Sequence, residues 1–227
     1  MLGLASDGTP RVFVVVDPHG RTNLTDRIRS THSFRVITCV DSFSYENWSV
    51  RLYEPLPRLH RPARWDASRI RLVSEEASEA LEQLLPRGEG IPSHWRPMHG
   101  DFVPWNLRED SLGQLWLLDW EDAGWGPPFA DFVRYVVAYH SLGWTRPASI
   151  ADIVAQTVGL PSLPALTEVA SYWLSHRNID PVESGESVSR RRARDTARAA
   201  REVAAFREIW ARRLGSDIQS DIAVRPH

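Results

Sequence analysis

The chain has 227 residues, of which 42% are hydrophobic and 25% charged, and its formal net charge is −2. A chain of this length can bury a sizeable core, and its near-neutral charge gives no reason to expect nucleic acid or an anionic membrane as a partner. No apolar run approaches the roughly 20 residues that span a bilayer, and one cysteine cannot form an intramolecular disulfide. We therefore expect a cytoplasmic enzyme or binding protein.

The first part of the chain favours β-strands. Strands are predicted for three runs rich in β-branched and aromatic residues, which are RVFVVV at 11–16, FRVITCV at 34–40 and WSVRLYE at 48–54. The polar DSFSYEN between the last two suits a hairpin loop, residues 23–31 predict a short helix, and Cys39 is expected to be a buried thiol. The Pro-rich PLPRLHRPARW then predicts an irregular hinge between two lobes.

From residue 66 onward the pattern becomes helical. Apolar side chains recur at helical spacing over 66–85, at Ile70, Val73, Ala77, Ala80, Leu81 and Leu84. A second helix is predicted after Asp131, which is placed to cap it, and two more over 149–158 and 164–176. The last is predicted from Ser187 to Leu214, with an apolar stripe of Ala197, Ala200, Ala204 and Trp210. The sum is an α+β protein with a strand-rich part at 1–57 and a mainly helical part at 58–227.

Acidic and amide side chains are concentrated in MHGDFVPWNL at 98–107 and LWLLDWEDAGWGPPFADF at 115–132. Asp101 and Asn106 lie on a loop broken by Pro104, and the hairpin formed by LREDSLGQ and LWLL is expected to return Asp119 close to Asn106. A carboxylate and an amide oxygen converging at a strand end make a hard-oxygen site suited to Mg²⁺. A further carboxylate, Asp101, can accept a proton from a hydroxyl, which is the arrangement that phosphoryl transfer needs.

The motifs HGDFVPWN and LLDWEDAGWGPPFAD resemble those of the aminoglycoside phosphotransferase and choline kinase-like family, relatives of the protein kinases. The resemblance implies a two-lobe, protein kinase-like fold and transfer of the γ-phosphate of ATP or GTP to a hydroxyl of a small molecule. It also implies that Asp101 is the catalytic base, that Asn106 and Asp119 bind Mg²⁺, and that His99 and Asp131 brace the loop.

The N-terminal resemblance is partial. VRLYEPLP is similar to the strand and hinge at which backbone groups near Glu54 and Leu56 would hold the adenine. RVFVVVDP falls where the family carries its ATP-anchoring lysine, yet this chain has valine there, and all 27 of its basic residues are arginine. A short, incomplete N-terminal lobe is therefore expected.

Two alternatives stay open. The missing lysine favours a pseudokinase, a binding or regulatory protein of the same fold without turnover. A metal-dependent hydrolase using His99, Asp101 and Asp119 is also conceivable, but no second histidine motif completes its ligand set. The acceptor is open among aminoglycoside, amino alcohol, sugar, nucleoside and macrolide, and the sequence does not specify an oligomeric state.

Overall fold

The structure is a computed structural model that describes residues 2–4, 10–16, 24–45, 48–57, 60–143, 145–159, 163–176 and 190–223. The strands are β1 (Leu2–Leu4), β2 (Pro10–Val16), β3 (Cys39–Tyr45), β4 (Trp48–Tyr53), β5 (His60–Pro62), β6 (Arg96–Met98), β7 (Leu107–Asp110), β8 (Leu115–Leu117) and β9 (Gly124–Gly126). The helices are α1 (Ala67–Glu82), α2 (Ala130–Leu142), α3 (Pro147–Val158), α4 (Leu163–His176) and α5 (Arg190–Ala223). The fold is thus α+β, as predicted.

An antiparallel sheet in the order β1-β2-β4-β3 forms the N-terminal part. The strands predicted at 11–16 and 48–54 are confirmed as β2 and β4, whereas the third was placed too early. DSFSYEN, predicted to be a loop, supplies most of β3, and Tyr45 pairs with Trp48 across only two intervening residues. Since β3 is an edge strand with an exposed face, it tolerates polar side chains, and Cys39 is half-buried rather than buried.

Residues 34–38 pack against β8 instead of forming a full strand. Arg35 N donates to Leu115 O at 2.8 Å, and Leu117 N donates to Arg35 O at 2.9 Å, in a single parallel bridge. Phe34 is buried, which explains the apolar pattern in this segment. Before it, the helix predicted at 23–31 is reduced to one 3-10 turn at Leu24–Asp26.

A second sheet, β5-β7-β8, contains the hairpin predicted between Asn106 and Asp119. Its outer strand, β5, lies inside the Pro-rich segment that was predicted to be irregular. Pro62 is accommodated because it lies at the end of a three-residue edge strand, where a missing N–H costs little. β6 and β9 form a separate pair.

Helix α1 confirms the helix predicted over 66–85. Asp66 caps it by accepting a hydrogen bond from Arg69 N at 3.0 Å. Its buried side chains recur three and four residues apart, at Ile70, Val73, Ser74, Ala77 and Leu81. One face is therefore apolar and buried, while Arg71, Glu75, Glu79 and Glu82 are exposed.

By internal contacts the chain separates into two compact units, the first comprising residues 1–90 and 97–125 and the second residues 91–96 and 126–227. The lobe boundary expected after residue 57 lies inside the first unit. The division into compact units does not test the expected boundary between the lobes, which stays a prediction. None of the helices that the structure describes combines the length and apolarity of a bilayer span.

Helices α2 to α5 form the core of the second unit and agree with the predicted helices in number and approximate position. Two details differ. The N-cap of α2 is Phe129, with φ 68°, so Asp131 does not cap the helix but lies buried in its first turn. Among the α5 side chains that the structure describes, at 196–212, the buried ones are Glu202, Ala205, Phe206 and Ile209, whereas Trp210 of the predicted stripe is 44% exposed. Because Glu202 is charged, the sequence pattern did not indicate that this face of α5 is buried.

Candidate active site

The loop between β6 and β7 brings Asp101 and Asn106 together. Its last turn is closed by Asn106 N and Leu107 N, which both donate to Val103 O. Asn106 is buried, and its Nδ2 donates to Asp101 Oδ2 at 2.8 Å and to Asp101 O at 3.0 Å. The amide therefore fixes one carboxylate oxygen of Asp101 and the backbone beside it.

The β7–β8 hairpin returns the chain to this loop. Its turn is held by Asp110, whose N donates to Gln114 O at 3.0 Å, and by Gly113 at φ 77°. At the open end of the hairpin, Leu118 N donates to Asn106 O at 3.0 Å, so the next residue, Asp119, follows directly after a residue bonded to Asn106. The sequence prediction that the hairpin places Asp119 beside the loop agrees with this geometry.

Asp119 has an unusual backbone. With φ 65° it is one of only two non-glycine residues in the left-handed region among the residues that the structure describes, the other being Phe129. Such conformations cost free energy and occur preferentially at functional sites. The Asp119 side chain is exposed, unlike that of Asn106.

Negative charge accumulates around Asp119. Although the residue is exposed overall, partial desolvation of its carboxyl raises the pKa of Asp119, and the charges of Glu121, Asp101 and Asp122 raise it further. Three carboxylates are thus close enough to Asp119 to repel its negative charge. A cation bound among them would relieve that repulsion.

Gly100, which the sequence analysis did not single out, lets the loop approach this acidic segment. Its φ is 84°, and a Cβ at this position would lie 2.0 Å from the carbonyl oxygen of Asp122. Only glycine combines that backbone conformation with so close an approach. In the sequence, the glycine between His99 and Asp101 was the feature that could have indicated this close approach.

His99 is fully buried and joins the two segments. Its Nε2 lies 2.8 Å from Leu118 O, and its Nδ1 accepts a hydrogen bond from Asp101 N at 3.3 Å. The imidazole also packs against Trp120, with ring centroids 4.6 Å apart. Burial lowers the pKa of His99 to about 4, partly opposed by the bond to Leu118, so the ring is neutral at pH 7.

The side chains present fit a divalent cation of the Mg²⁺ type. No described residue donates a hydrogen bond to Asn106 Oδ1, so this oxygen and the Asp119 carboxylate are available as hard ligands. Within the described ranges, no three His, Cys, Asp or Glu side chains form a closed metal cage. Mg²⁺ needs none, because it commonly takes one or two protein ligands together with phosphates and water. His99 does not suit a ligand role, since both its ring nitrogens are used.

The remaining predicted residues lie elsewhere. Glu54 and Leu56 follow β4 in the first unit, and Glu54 N donates to Thr38 O at 3.1 Å. No described backbone group is a hydrogen-bond partner of the Glu54 carbonyl or of the Leu56 N–H. These two groups are therefore available to a ligand. Asp131 belongs to the second unit. Its bracing role stays a prediction.

Comparisons with known proteins give the family and the fold of the chain. The model of APH, the phosphotransferase enzyme family, matches residues 24–172. Among solved structures, the amicoumacin kinase hAmiN in complex with AMP-PNP, Ca²⁺ and Ami is similar with a TM-score of 0.55 and 12% identity, covering 88% of this chain and 84% of that chain. At this identity the likeness shows the fold alone, which is kinase-like. No curated protein matches the chain.

Proposed function

Because the chain belongs to the APH phosphotransferase enzyme family, we propose that it transfers the γ-phosphate of ATP or GTP to a hydroxyl of a small molecule at the site around Asp101. The observation that carries the proposal is the 2.8 Å bond between Asn106 Nδ2 and Asp101 Oδ2, with Asp119 delivered to the same loop by the β7–β8 hairpin. Together they offer a fixed base and two hard-oxygen ligands.

Asp101 acts as the base. Its carboxylate accepts the proton of the acceptor hydroxyl while that oxygen forms a bond to the γ-phosphorus and the bond to the β-γ bridging oxygen breaks, leaving the nucleoside diphosphate. Asn106 holds Oδ2 in place, and the Asp101 N–H bond to His99 Nδ1 fixes the backbone. A base positioned before the reaction needs no reorganisation when the proton moves.

Asn106 Oδ1 and the Asp119 carboxylate would hold Mg²⁺, which supplies charge neutralisation of the phosphates. The solved neighbour binds AMP-PNP and Ca²⁺, which supports the use of a nucleotide and a divalent cation. The adenine would bond to the Glu54 carbonyl and the Leu56 N–H. Since the chain has no lysine, a permanently charged side chain at the phosphates would be an arginine.

Titration calorimetry of the full chain with ATP and GTP, with and without Mg²⁺, tests the site, followed by an acceptor screen. We expect Mg²⁺-dependent binding that Asp119→Ala abolishes. Asp101→Asn is expected to leave that binding within a few fold but to lower transfer by roughly 10²–10⁴-fold, the usual contribution of a general base. Glu89→Gln, an exposed acid of the same unit, is the matched control.

A pseudokinase is the second candidate, favoured by the absence of lysine from the chain. It predicts that no acceptor is phosphorylated and that any nucleotide that binds is not hydrolysed. In that case Asp101→Asn changes nothing that can be measured. Failure of both nucleotides to bind to the folded protein would contradict the phosphotransferase and favour the pseudokinase.

A further inference from the structure

The turn between β7 and β8 separates two clefts that the proposed phosphotransfer does not use. One, of about 680 Å³, is lined by His60, Arg61, Arg64, Glu109 and the turn. The other, of about 540 Å³, has Arg35, Arg69, Leu72 and Trp116 among its lining residues. Asp110, Leu112 and Gly113 line both. We call these clefts and the turn between them the hairpin surface; all of it lies in the first unit.

The acidic groups of the hairpin surface are directed inward and already paired. Glu109 is 6% exposed, and it accepts hydrogen bonds from Arg69 Nη1 at 2.9 Å and Arg61 Nη2 at 3.3 Å. Although burial alone would raise the pKa of Glu109, these arginines hold it below its usual range. The Asp110 carboxylate accepts the N–H groups of Leu112 and Gln114 and the Trp116 indole N–H.

The arginines, in contrast, exceed the acids and face solvent. Arg61, Arg64 and Arg69 surround the one carboxylate of Glu109, with side chains 52%, 71% and 38% exposed. Arg35 is exposed in the second cleft. Because the carboxylates are buried and satisfied, the outward charge of both clefts is positive. The bond of Arg69 to Glu109 and to Gly113 O also holds its guanidinium in place beside the turn.

An apolar side chain stands between the two basic clefts. Leu112, at the tip of the turn, is 92% exposed, and Leu72 in the second cleft is 44% exposed. A small anion alone would leave both leucines in water. A ligand that carries anionic and apolar groups in alternation would match the surface in charge and in polarity.

We infer that the hairpin surface docks an acidic peptide segment of a partner protein, with its carboxylates on Arg35, Arg61 and Arg64 and an apolar side chain on Leu112. Two open clefts on either side of one tip suit a segment that crosses the tip in an extended conformation. Charge complementarity selects the acidic partner, and the leucine adds the apolar contact from which such interfaces gain affinity. The inference does not depend on the phosphotransferase activity.

Selection of a random displayed peptide library against the full chain tests the inference, with the selected peptides then measured by fluorescence anisotropy. The expected peptides carry acidic and apolar residues, and they bind more weakly as salt rises. Arg64→Glu, Arg35→Glu and Leu112→Ser are each expected to weaken binding roughly tenfold. These side chains are exposed, so the fold should be unaffected.

Two matched variants control for charge and for hydrophobicity. Arg29→Glu makes the same charge change at an exposed position that lines neither cleft, and Leu142→Ser removes a 46% exposed leucine of the second unit. Both should leave binding unchanged. The inference is wrong if selection enriches no acidic peptide, or if the surface variants bind as the controls do. It is also wrong if sedimentation shows a dimer of this chain that Leu112→Ser dissociates, because the occupant would then be a second copy.

Discussion

Gly100 and Gly90 have almost the same backbone angle but opposite surroundings. Their φ values are 84° and 83°, yet a Cβ on Gly100 would meet Asp122 O at 2.0 Å, whereas one on Gly90 would have no atom within 4 Å. Gly90→Ala should therefore cost only the left-handed conformation, about 1–2 kcal/mol. Gly100→Ala should cost roughly 1–3 kcal/mol more, because the backbone of the acidic segment must move.

Urea unfolding of the two variants measures that difference. Gly100→Ala should also weaken nucleotide binding, since it displaces Asp122 and with it the segment that follows Asp119. Equal losses of stability in the two variants would show that the close approach to Asp122 carries no cost.

The buried imidazole of His99 makes stability depend on pH. Its pKa in the folded chain is about 4, below the ordinary 6.5. As the pH falls below 6.5, the unfolded chain binds a proton at His99 and the folded chain does not, so the free energy of unfolding decreases. The decrease continues down to pH 4 and amounts to about 3 kcal/mol in total. Above pH 6.5 His99 has no such effect.

Urea midpoints measured from pH 7 to pH 4 test this, comparing the wild type with His99→Gln. The variant should lose stability less steeply over this range, even if it is less stable at pH 7. His60→Gln, which replaces an exposed histidine, is the matched control. Parallel curves for the wild type and His99→Gln would contradict the neutral buried ring.

The site residues differ in how far the sequence could specify them. Asp101 and Asn106 are separated by one short loop, and a hairpin of ordinary length returns Asp119, so local reasoning placed all three. The left-handed φ of Asp119 and the contact of Gly100 with Asp122 depend on how two segments pack against each other. Propensity alone does not contain that information.

At the scale of elements, burial of one face decided which predictions succeeded. Helix α1 was predictable because its apolar residues recur on one side, around a core that includes Ile70 and Leu81. β3 was misplaced because an edge strand can be polar and is defined by its partner, β4. The face of α5 was misassigned because one of its buried positions holds a charge, Glu202.

That charge forms a buried ion pair between α2 and α5. Arg134 Nη1 donates to Glu202 Oε2, and the two side chains are 0% and 1% exposed. Arg134 Nε and Nη2 have no hydrogen-bond partner among the described residues, so the pair is incompletely satisfied. Arg134→Met alone should lower the free energy of unfolding by at most about 3–5 kcal/mol, because it removes the main partner of a buried carboxylate and leaves Arg198, whose Nε lies 3.6 Å from Glu202 Oε1.

The double variant Arg134→Met with Glu202→Leu should recover most of that loss or exceed the wild type, since no buried charge remains. Arg212→Gln is the control: it breaks a pair with Asp152 whose side chains are 36% and 57% exposed, and should cost less than about 1 kcal/mol. Thermal or urea unfolding of all three measures the effect. A double variant as unstable as Arg134→Met would show that the pair contributes net stability.

At the scale of the whole molecule, the choice of arginine for every basic position has a chemical consequence. Acyl-phosphate derivatives of ATP label kinases by acylating an amine beside the phosphates, and an arginine guanidinium stays protonated and does not react. We expect such a probe to modify no internal residue, even where a photoreactive azido-ATP labels the chain in a Mg²⁺-dependent manner. Mass spectrometry of the labelled protein decides, and an acylated internal residue would contradict the expectation.

The buried pair of α2 and α5 also limits how this chain can diverge. Either substitution alone passes through a protein in which a buried charge has lost its main partner, whereas the two together do not. Lineages should therefore keep both residues or lose both, so that positions 134 and 202 covary among natural sequences that share these helices. Positions 152 and 212, paired at the surface, should drift independently.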